Sequence, residues 1–551
     1  MANFDPFKIT IGNLLDQQTT KFPDNEVLVH VEEEKRYTYS ELHEACNEMA
    51  GCLMALGIEK GDHVGVWVSN HPEWVIIQFA VAKIGAVLVP INPSYRAQGI
   101  QYILKNSDVT TLVMSSNHRY FDILNHLVPE LDSSQEGQLH SEAFPKLRNV
   151  IVFGPQQRPG CYWWDELPLL AQLISEEDVT ERQASCHHDD VVVIKYTSGF
   201  DGCLKGAMLT HANVVGTAHA VTNGMKLTHE DRLCLPIPFY LPFGSVSGIL
   251  GCVTQGAAIV IPSSYYRSIH VLQAIEDEAC TAVYGIPSMF AEQPGEEMFS
   301  SFNLALLQTG MISSDACSVG FMEVIAEKIN ATNMTIGYGQ TESGGIITQI
   351  PLETASKLDF DTVGNALSHI ETKVINPQTG DIVSSGEKGE LCVRSPSVMK
   401  GYYNMSAETD KVIDDEGWLR TGDKVIIYEE GYVRFLESYH DVVVCEGKHV
   451  YPREVETYLL THPAIAEVWV VGVPDLQHDN ELVAWVKLEE GRSATTEDIR
   501  SFCKRQIAQY KIPHYFTYVK SIPSAPSEQA RKNLLRDLAI EELKFRKEMG
   551  L

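Results

Sequence analysis

The first part of the chain alternates amphipathic segments with short apolar runs. Thr38 and Glu41 have the spacing of a capping box, and apolar residues then recur at helical spacing as far as Leu53. Gly57 follows as a helix stop. Apolar runs typical of buried strands lie at 63–68, 86–91, 108–114 and 150–153. This alternation predicts a layered α/β body with mainly parallel strands.

The longest apolar stretch runs from Val75 to Ile91 and is interrupted by Gln78, Lys83 and Gly85. It is too short and too polar to cross a bilayer. Its pattern predicts a core helix that runs into a strand. We therefore expect no integral membrane segment.

Composition narrows the class of protein. The 551 residues are too many for one compact core and predict at least two domains. The net charge of −30 disfavours nucleic acid and anionic membranes as general partners, but it allows a local basic pocket for a nucleotide. The twelve cysteines lack CxxC pairs and zinc spacing, which is typical of reduced thiols. Because the sequence begins MANFDPFK, without an apolar signal region, we expect a cytoplasmic protein.

The stretch 191–211 combines an apolar, β-branched strand pattern with a loop rich in hydroxyl groups and glycines. The loop holds Thr197, Ser198, Gly199 and Gly202, and Lys205 follows. Glycines let backbone N–H groups approach an anion closely, while hydroxyls and a lysine add donors and charge. The spacing is not that of a Walker A motif. These residues alone leave two interpretations open, a phosphate loop and an ordinary glycine-rich turn.

The stretch resembles the signature loop of adenylate-forming enzymes, which include acyl- and aryl-CoA ligases, peptide-synthetase adenylation domains and luciferases. Further motifs follow in the family's order, at 337–343 (GYGQTES), 389–391 (GEL), 399–403 (MKGYY) and 417–423 (GWLRTGD). The resemblance implies that Tyr338, beside Gly339, stacks on adenine and that Thr341 contacts the α-phosphate. It also implies that Glu342 holds Mg²⁺ and that Asp423 accepts the ribose hydroxyls.

The segment 237–245 (IPFYLPFGS) aligns with the family's P-x-(F/Y)-H-x-F-G motif beside the acyl carboxylate. Leu241 stands where the family places a histidine or another aromatic residue, and leucine can neither donate a hydrogen bond nor carry charge. A core-forming turn explains the rest of the segment equally well. The resemblance implies that the acid is lined by Phe239, Tyr240, Leu241, Tyr284, Ser288 and Gly310.

Other departures fall on positions that handle charge. Phe200 and Asp201 replace two threonines of the phosphate loop, and an aspartate there repels phosphate. At the hinge, Ser438 replaces an arginine and His440 occupies the pivot. In the final motif Gln529 stands where the family has its catalytic lysine, Glu528 stands in the place of a glycine, and Lys532 stands in the place of an arginine.

The resemblance implies a large N-terminal multi-sheet α/β domain at 1–436, which binds nucleotide and acyl group, and a small, mobile C-terminal α+β lid domain at 437–551. The implied reaction activates a small-molecule carboxylic acid with ATP and Mg²⁺ to an acyl-adenylate. The acyl group then passes to a thiol, which is CoA or the pantetheine of an acyl carrier protein.

Two alternatives stay open because several positions that handle phosphate or carboxylate are altered, Gln529 among them. One is a partial or altered reaction that starts from an acyl-adenylate or acyl-CoA. The other is a non-catalytic homologue that binds a nucleotide or an acyl ligand. The sequence does not identify the acid or the oligomeric state.

Overall fold

The computed structural model describes residues 4–198, 204–286, 289, 301–313, 333–355, 362–439, 442–445, 448–475, 479–504, 506–523 and 528–549. The α-helices of this part are Ile11–Lys21, Tyr39–Ala55, Pro72–Lys83, Ala97–Asn106, His118–Leu127, Pro168–Ala171, Glu176–Ala184, His211–Gly224, Gly251–Gln255, Ser268–Asp277, Leu352–Ala355, Ser406–Val412, Pro452–Leu459, Thr496–Cys503 and Glu528–Met549. A π-helix spans Phe243–Leu250, and 3-10 turns span Pro129–Ser133, Trp164–Glu166, Thr341–Ser343 and Gln509–Lys511.

Two large sheets dominate the described ranges. In spatial order, one has the nine strands Asn365–Ala366, Thr348–Gln349, Asn333–Tyr338, Thr309–Ser313, Ala282–Gly285, Arg232–Cys234, Ala258–Ile261, Glu26–His30 and Lys35–Thr38. The other has the eight strands Gly401–Tyr402, Leu204–Thr210, Val191–Ser198, Val87–Pro90, His63–Trp67, Val109–Ser115, Asn149–Phe153 and Tyr162–Trp163. The inner strands of both sheets pair in parallel, and the antiparallel pairs lie toward the edges.

Three smaller sheets complete the described strands. The four-stranded sheet has the order Glu371–Ile375, Lys388–Arg394, Leu419–Ile427 and Val433–Ser438. Toward the C-terminus, Val443–Cys445 pairs with Lys448–Val450. The last sheet has the order Ile465–Asp475, Asp479–Leu488 and Tyr515–Tyr518. The multi-sheet α/β architecture, with a smaller α+β part at the C-terminus, confirms the predicted fold class.

The local patterns of the first part of the chain form the predicted elements. The Thr38 hydroxyl accepts from the Glu41 backbone N–H at 3.2 Å, and the Glu41 carboxylate accepts from the Thr38 N–H at 2.8 Å. This reciprocal capping box begins the helix Tyr39–Ala55, and Gly57 beyond its end has φ of +78°.

The longest apolar stretch divides as expected, into the fully buried helix Pro72–Lys83 and the strand Val87–Pro90. None of the helices in the described ranges is both long and apolar enough to cross a membrane. Every residue of this helix is buried because the helix packs between others in the main hydrophobic core.

The chain divides into two compact units. The first comprises residues 1–93, 103–197 and 206–437, and the second comprises residues 94–102, 198–205 and 438–551. The second unit contains an apolar core that the strand Ile465–Asp475 forms with the helices Pro452–Leu459 and Thr496–Cys503. The domain boundary expected between residues 436 and 437 remains a prediction, because these units are not continuous in the chain.

Candidate functional site

The glycine-rich loop is described only at its two ends. Thr197 and Ser198 are the last residues of the strand Val191–Ser198, and Lys205 is a buried residue of the next strand, Leu204–Thr210. Gly199, Phe200, Asp201 and Gly202 lie outside the described residues. The strands on either side of the motif are therefore present, and phosphate binding by the loop remains a prediction.

Tyr338 and Asp423 come from two different sheets and meet in the first unit. Tyr338 ends the strand Asn333–Tyr338, and its hydroxyl donates to Asp423 Oδ2 at 2.6 Å. Asp423 follows Gly422, whose φ of +73° turns the chain within the strand Leu419–Ile427. The two residues expected at adenine and ribose are thus neighbours, although 85 positions separate them in sequence.

Gly339 is required by close backbone packing. A Cβ atom at this residue would lie 2.3 Å from the Gly345 carbonyl oxygen and 2.7 Å from the Ile346 Cα. Real Cβ atoms do not approach backbone atoms so closely, so any side chain would move the turn that follows Tyr338. The glycine therefore sets the path of the backbone into Thr341 and Glu342.

Glu342 lies in the 3-10 turn Thr341–Ser343 and is 7 % exposed. Its Oε1 atom accepts from the Tyr402 hydroxyl at 2.8 Å, and its backbone carbonyl accepts from the Met399 N–H at 2.9 Å. Both contacts come from the segment 399–402, which is itself part of a family motif. The phenol fixes the direction of the buried carboxylate, as a metal ligand needs, and the Met399 N–H fixes the backbone that carries it.

Glu390 is a second carboxylate that sequence reasoning left without a role. It accepts from the Gly422 backbone N–H at 3.2 Å, and Arg420 forms an ion pair with it. The Thr421 hydroxyl donates to the Leu391 carbonyl at 2.8 Å. These bonds fasten the turn that presents Asp423. Both Glu390 and Tyr402 lie inside recognised motifs, but nothing in the linear spacing shows which residues they contact.

The expected acid-binding segment is held from two directions. The Asn70 side chain accepts from the Phe239 N–H at 3.0 Å and donates to the Ile237 carbonyl at 2.9 Å. On the other side, Lys195 Nζ donates to the Tyr240 carbonyl at 3.0 Å and to the Ser245 hydroxyl at 2.8 Å. The sequence signal for Lys195 was a charged residue inside an otherwise apolar strand.

The remaining acid-site candidates lie in or near the core. Phe239 and Tyr284 are fully buried, and the Tyr284 ring stacks on Phe243 with 4.8 Å between ring centroids. Gly310 is the second residue of the strand Thr309–Ser313, where a Cβ atom would lie 2.6 Å from the Met334 sulfur. Leu241 precedes the π-helix Phe243–Leu250. Ser288 lies outside the described residues.

The C-terminal candidates are less fully described. Gln529 is the second residue of the helix Glu528–Met549, and His440 lies outside the described residues. Ser438 ends the strand Val433–Ser438. Lys532 Nζ donates to Glu456 Oε1 at 2.8 Å, and both groups are buried. Lys532 therefore binds a carboxylate within the second unit.

Two groups in the described part of the chain have metal-ligand composition. One is the polar turn of His187, His188 and Asp189, where His187 and Asp189 are exposed. The other is His30, Glu33 and His71. His30 accepts from the Glu33 N–H at 3.1 Å through Nδ1, which leaves Nε2 protonated toward the Asn70 carbonyl at 3.2 Å. Both nitrogens of His30 are thus used by the backbone, so neither is a free metal ligand.

The site residues and the fold match one protein family. The family model "AMP-binding enzyme" matches residues 15–403, and "AMP-binding enzyme C-terminal domain" matches residues 454–528. The chain therefore belongs to the AMP-binding enzyme family, the class of adenylate-forming enzymes that the sequence motifs had indicated.

Individual proteins agree with this assignment. The chain is 40 % identical to the putative acyl-CoA synthetase YngI of Bacillus subtilis (strain 168), over 97 % of both chains. It is 34 % identical to the mitochondrial medium-chain acyl-CoA ligase ACSF2 of Danio rerio, over 97 % of this chain and 89 % of that one. The solved structure of o-succinylbenzoate CoA synthetase from Bacillus subtilis has the same fold, with a TM-score of 0.77, 23 % identity and coverage of 96 % and 98 %.

Proposed function

We propose that this protein is an acid–thiol ligase that activates a carboxylic acid with ATP and transfers the acyl group to CoA. The observation that supports it best is the pair of contacts Tyr338–Asp423 and Tyr402–Glu342, at 2.6 and 2.8 Å. The first contact joins the side chains expected at adenine and ribose, and the second orients the side chain expected at the metal. A carboxylate oxygen of the acid attacks the α-phosphorus, pyrophosphate leaves, and the acyl-adenylate is then cleaved by a thiol that displaces AMP.

The donor set of the site suits Mg²⁺. Mg²⁺ is a hard cation that binds carboxylate and phosphate oxygens, and Glu342 offers a buried carboxylate that Tyr402 orients. When bound with ATP, the cation neutralises phosphate charge. The protein residues bind and orient: Asp423 receives the ribose hydroxyls, Thr341 donates to the α-phosphate, and Lys205 with the hydroxyls of Thr197 and Ser198 binds the outer phosphates.

We propose a medium-chain fatty acid as substrate, with its carboxylate beside Tyr240 and Leu241 and its chain toward Tyr284 and Gly310. The named activity of the ACSF2 relatives supports this chain length. The apolar Leu241 and the buried aromatic pair Phe243 and Tyr284 suit an aliphatic chain. CoA is the proposed acceptor, and a carrier-protein pantetheine is the alternative that the assay below separates.

The cytoplasm is the proposed location. The ten cysteines of the described ranges form no disulfide, which suits a reducing compartment. Fractionation of cells that express the tagged protein tests this proposal, and recovery with a membrane or organelle fraction would contradict it.

The decisive assay is acid-dependent ATP–pyrophosphate exchange over fatty acids of 4 to about 16 carbons and a set of aryl acids, followed by CoA and by a pantetheinylated carrier as acceptors. We expect exchange that is strongest at medium chain length and CoA thioester as product. Consumption of supplied acyl-AMP with CoA, without exchange, would indicate the partial reaction. If both activities are absent but calorimetry detects binding of a nucleotide or an acyl ligand, the protein is a non-catalytic homologue.

Tyr402→Phe is expected to lower kcat of the exchange reaction by about 10- to 100-fold, because a hydrogen bond to a charged group contributes roughly 1.5–3 kcal/mol. The matched control is the adjacent Tyr403→Phe, which removes a hydroxyl that donates to Asp108 at 3.0 Å. The control should retain activity within about threefold. Equal losses in both variants would show that the Tyr402 contact is not specific to the site.

A further inference from the structure

Lys195 carries a buried amine that the proposed chemistry does not use. It lies in the strand Val191–Ser198, immediately before the phosphate loop, and is 3 % exposed. It forms no ion pair with any group in the described ranges. Its contacts there are two hydrogen bonds, to the Tyr240 carbonyl at 3.0 Å and the Ser245 hydroxyl at 2.8 Å. Burying an amine that has no ion-pair partner costs free energy. A lysine at this position is therefore expected to have a function that offsets the cost.

Both bonds fasten the same short turn. The Ser245 hydroxyl that accepts from Lys195 in turn donates to the Leu241 carbonyl at 3.0 Å, and the Ser245 N–H bonds the same carbonyl at 3.1 Å. Lys195 thus fixes the backbone on both sides of Leu241. Asn70 holds the preceding residues of the segment through Ile237 and Phe239, as described above.

The space beside the amine is small and mostly apolar. A cavity of about 10 Å³, the size of one water molecule, adjoins the side chain. Its lining includes Lys195, Gln78, Val193, Val214, Val246 and Leu250. Gln78 is the other long polar residue of this lining, and its Oε1 atom has no hydrogen-bond partner among the described residues. Nothing in this lining offers an opposite charge, so an ion pair does not explain the lysine.

We propose that Lys195 is a positioning residue for the carboxylic acid: it joins the strand that leads into the phosphate loop to the turn that carries Leu241, and so sets the acid relative to the nucleotide. The inference rests on the proposed function, in which Tyr240 and Leu241 lie beside the acid carboxylate. It assigns a role to a residue that no motif of the sequence marked.

Burial lowers the pKa of the Lys195 ammonium from the ordinary 10.5 to about 7. A neutral amine has two N–H donors, which is the number of acceptors present. The ionisable groups on the surrounding elements contact other partners or solvent: Asp16 with Lys83, Glu73 with Lys35, His211 with the Ile11 N–H, His219 with Gln255, Tyr196 with Asn106, and exposed Lys21.

The test compares Lys195→Met, Lys195→Gln and Val193→Ala. Methionine keeps the length of the side chain but has no donor, and glutamine is shorter but retains an N–H₂ group. Val193→Ala is the matched control, because it removes apolar packing from the same strand and the same cavity without removing a hydrogen bond. Hydrogen–deuterium exchange of peptides covering 237–250 is measured together with KM for the acid and for ATP.

For Lys195→Met we expect about tenfold faster amide exchange in 237–250 and about tenfold higher KM for the acid, with KM for ATP within about twofold. Lys195→Gln should recover part of both losses, and Val193→Ala should show neither. Equal effects in Val193→Ala, or a rise in KM for ATP alone, would overturn the proposal.

The pH dependence of stability gives a second readout. Between pH 7 and pH 10 the unfolded chain carries the Lys195 proton and the folded chain does not, so stability rises with pH in this window. The unfolding constant of the wild type should fall by up to about tenfold per pH unit relative to Lys195→Met; a constant ratio would contradict the burial of a neutral amine. If wild-type protein shows no pyrophosphate exchange, the proposed function fails, whereas amide exchange still decides whether Lys195 holds the turn.

Discussion

Gln529→Lys is expected to raise the rate of acid-dependent ATP–pyrophosphate exchange by about 10²- to 10³-fold, the usual effect of one donor that stabilises charge in a transition state. The resemblance assigns this place to a lysine that polarises the carboxylate and the α-phosphate. Gln529 is the second residue of the helix Glu528–Met549. A glutamine there carries no charge, so it cannot offset the negative charge that develops as the acid attacks.

The control for this gain is Gln509→Lys, which adds the same charge at an exposed residue of the 3-10 turn Gln509–Lys511 in the second unit. It should leave the exchange rate unchanged. If Gln529→Lys also leaves the rate unchanged while the wild type is active, another group supplies the charge. The acyl-AMP consumption of the variant should stay near that of the wild type, because thioester formation does not need this lysine.

Glu342→Gln is expected to lower kcat of adenylation by at least about 10²-fold and to raise the Mg²⁺ concentration needed for half-maximal rate. The amide keeps the shape of the side chain and an oxygen that accepts from Tyr402, but it removes the negative charge that a hard cation prefers. Stability should change little, since the hydrogen bond of the phenol is retained. A Mg²⁺ titration of the exchange rate measures the effect.

Glu353→Gln is the matched control, because it makes the same change of charge in the first unit. Glu353 is exposed in the helix Leu352–Ala355, where it pairs with Lys226. Its Mg²⁺ titration should coincide with that of the wild type. If the Mg²⁺ titration of Glu342→Gln also coincides with that of the wild type, Glu342 does not bind the cation and its role is to pack the turn.

Local pattern predicted much of the fold because the interactions concerned are close in sequence. The capping box of Thr38 and Glu41 formed as expected, since its two hydrogen bonds span three residues. The stretch from Val75 to Ile91 divided into a helix and a strand, as its interruption by polar residues and Gly85 had indicated. The order of motifs likewise identified the family correctly.

The contacts within the site could not be predicted from local patterns in the sequence. Tyr402 and Glu390 were visible as members of motifs, but their contacts with Glu342 and Gly422 join residues 60 and 32 positions apart. Lys195 was visible only as a charged residue in an apolar strand, and the packing of the segment 240–245 against that strand gave it two acceptors. Hydrogen bonds of this kind depend on how sheets and helices pack.

The sequence by itself determined the class of fold, the family, and the side chains expected at the nucleotide, because these follow from periodicity and from motifs of fixed spacing. Tertiary structure alone decided that Tyr338 meets Asp423, that Tyr402 orients Glu342 and that a buried lysine fixes the turn at Leu241. The physical reason is that a side chain's chemistry is set by its own atoms, whereas its direction, burial and partners are set by distant segments that folding brings together.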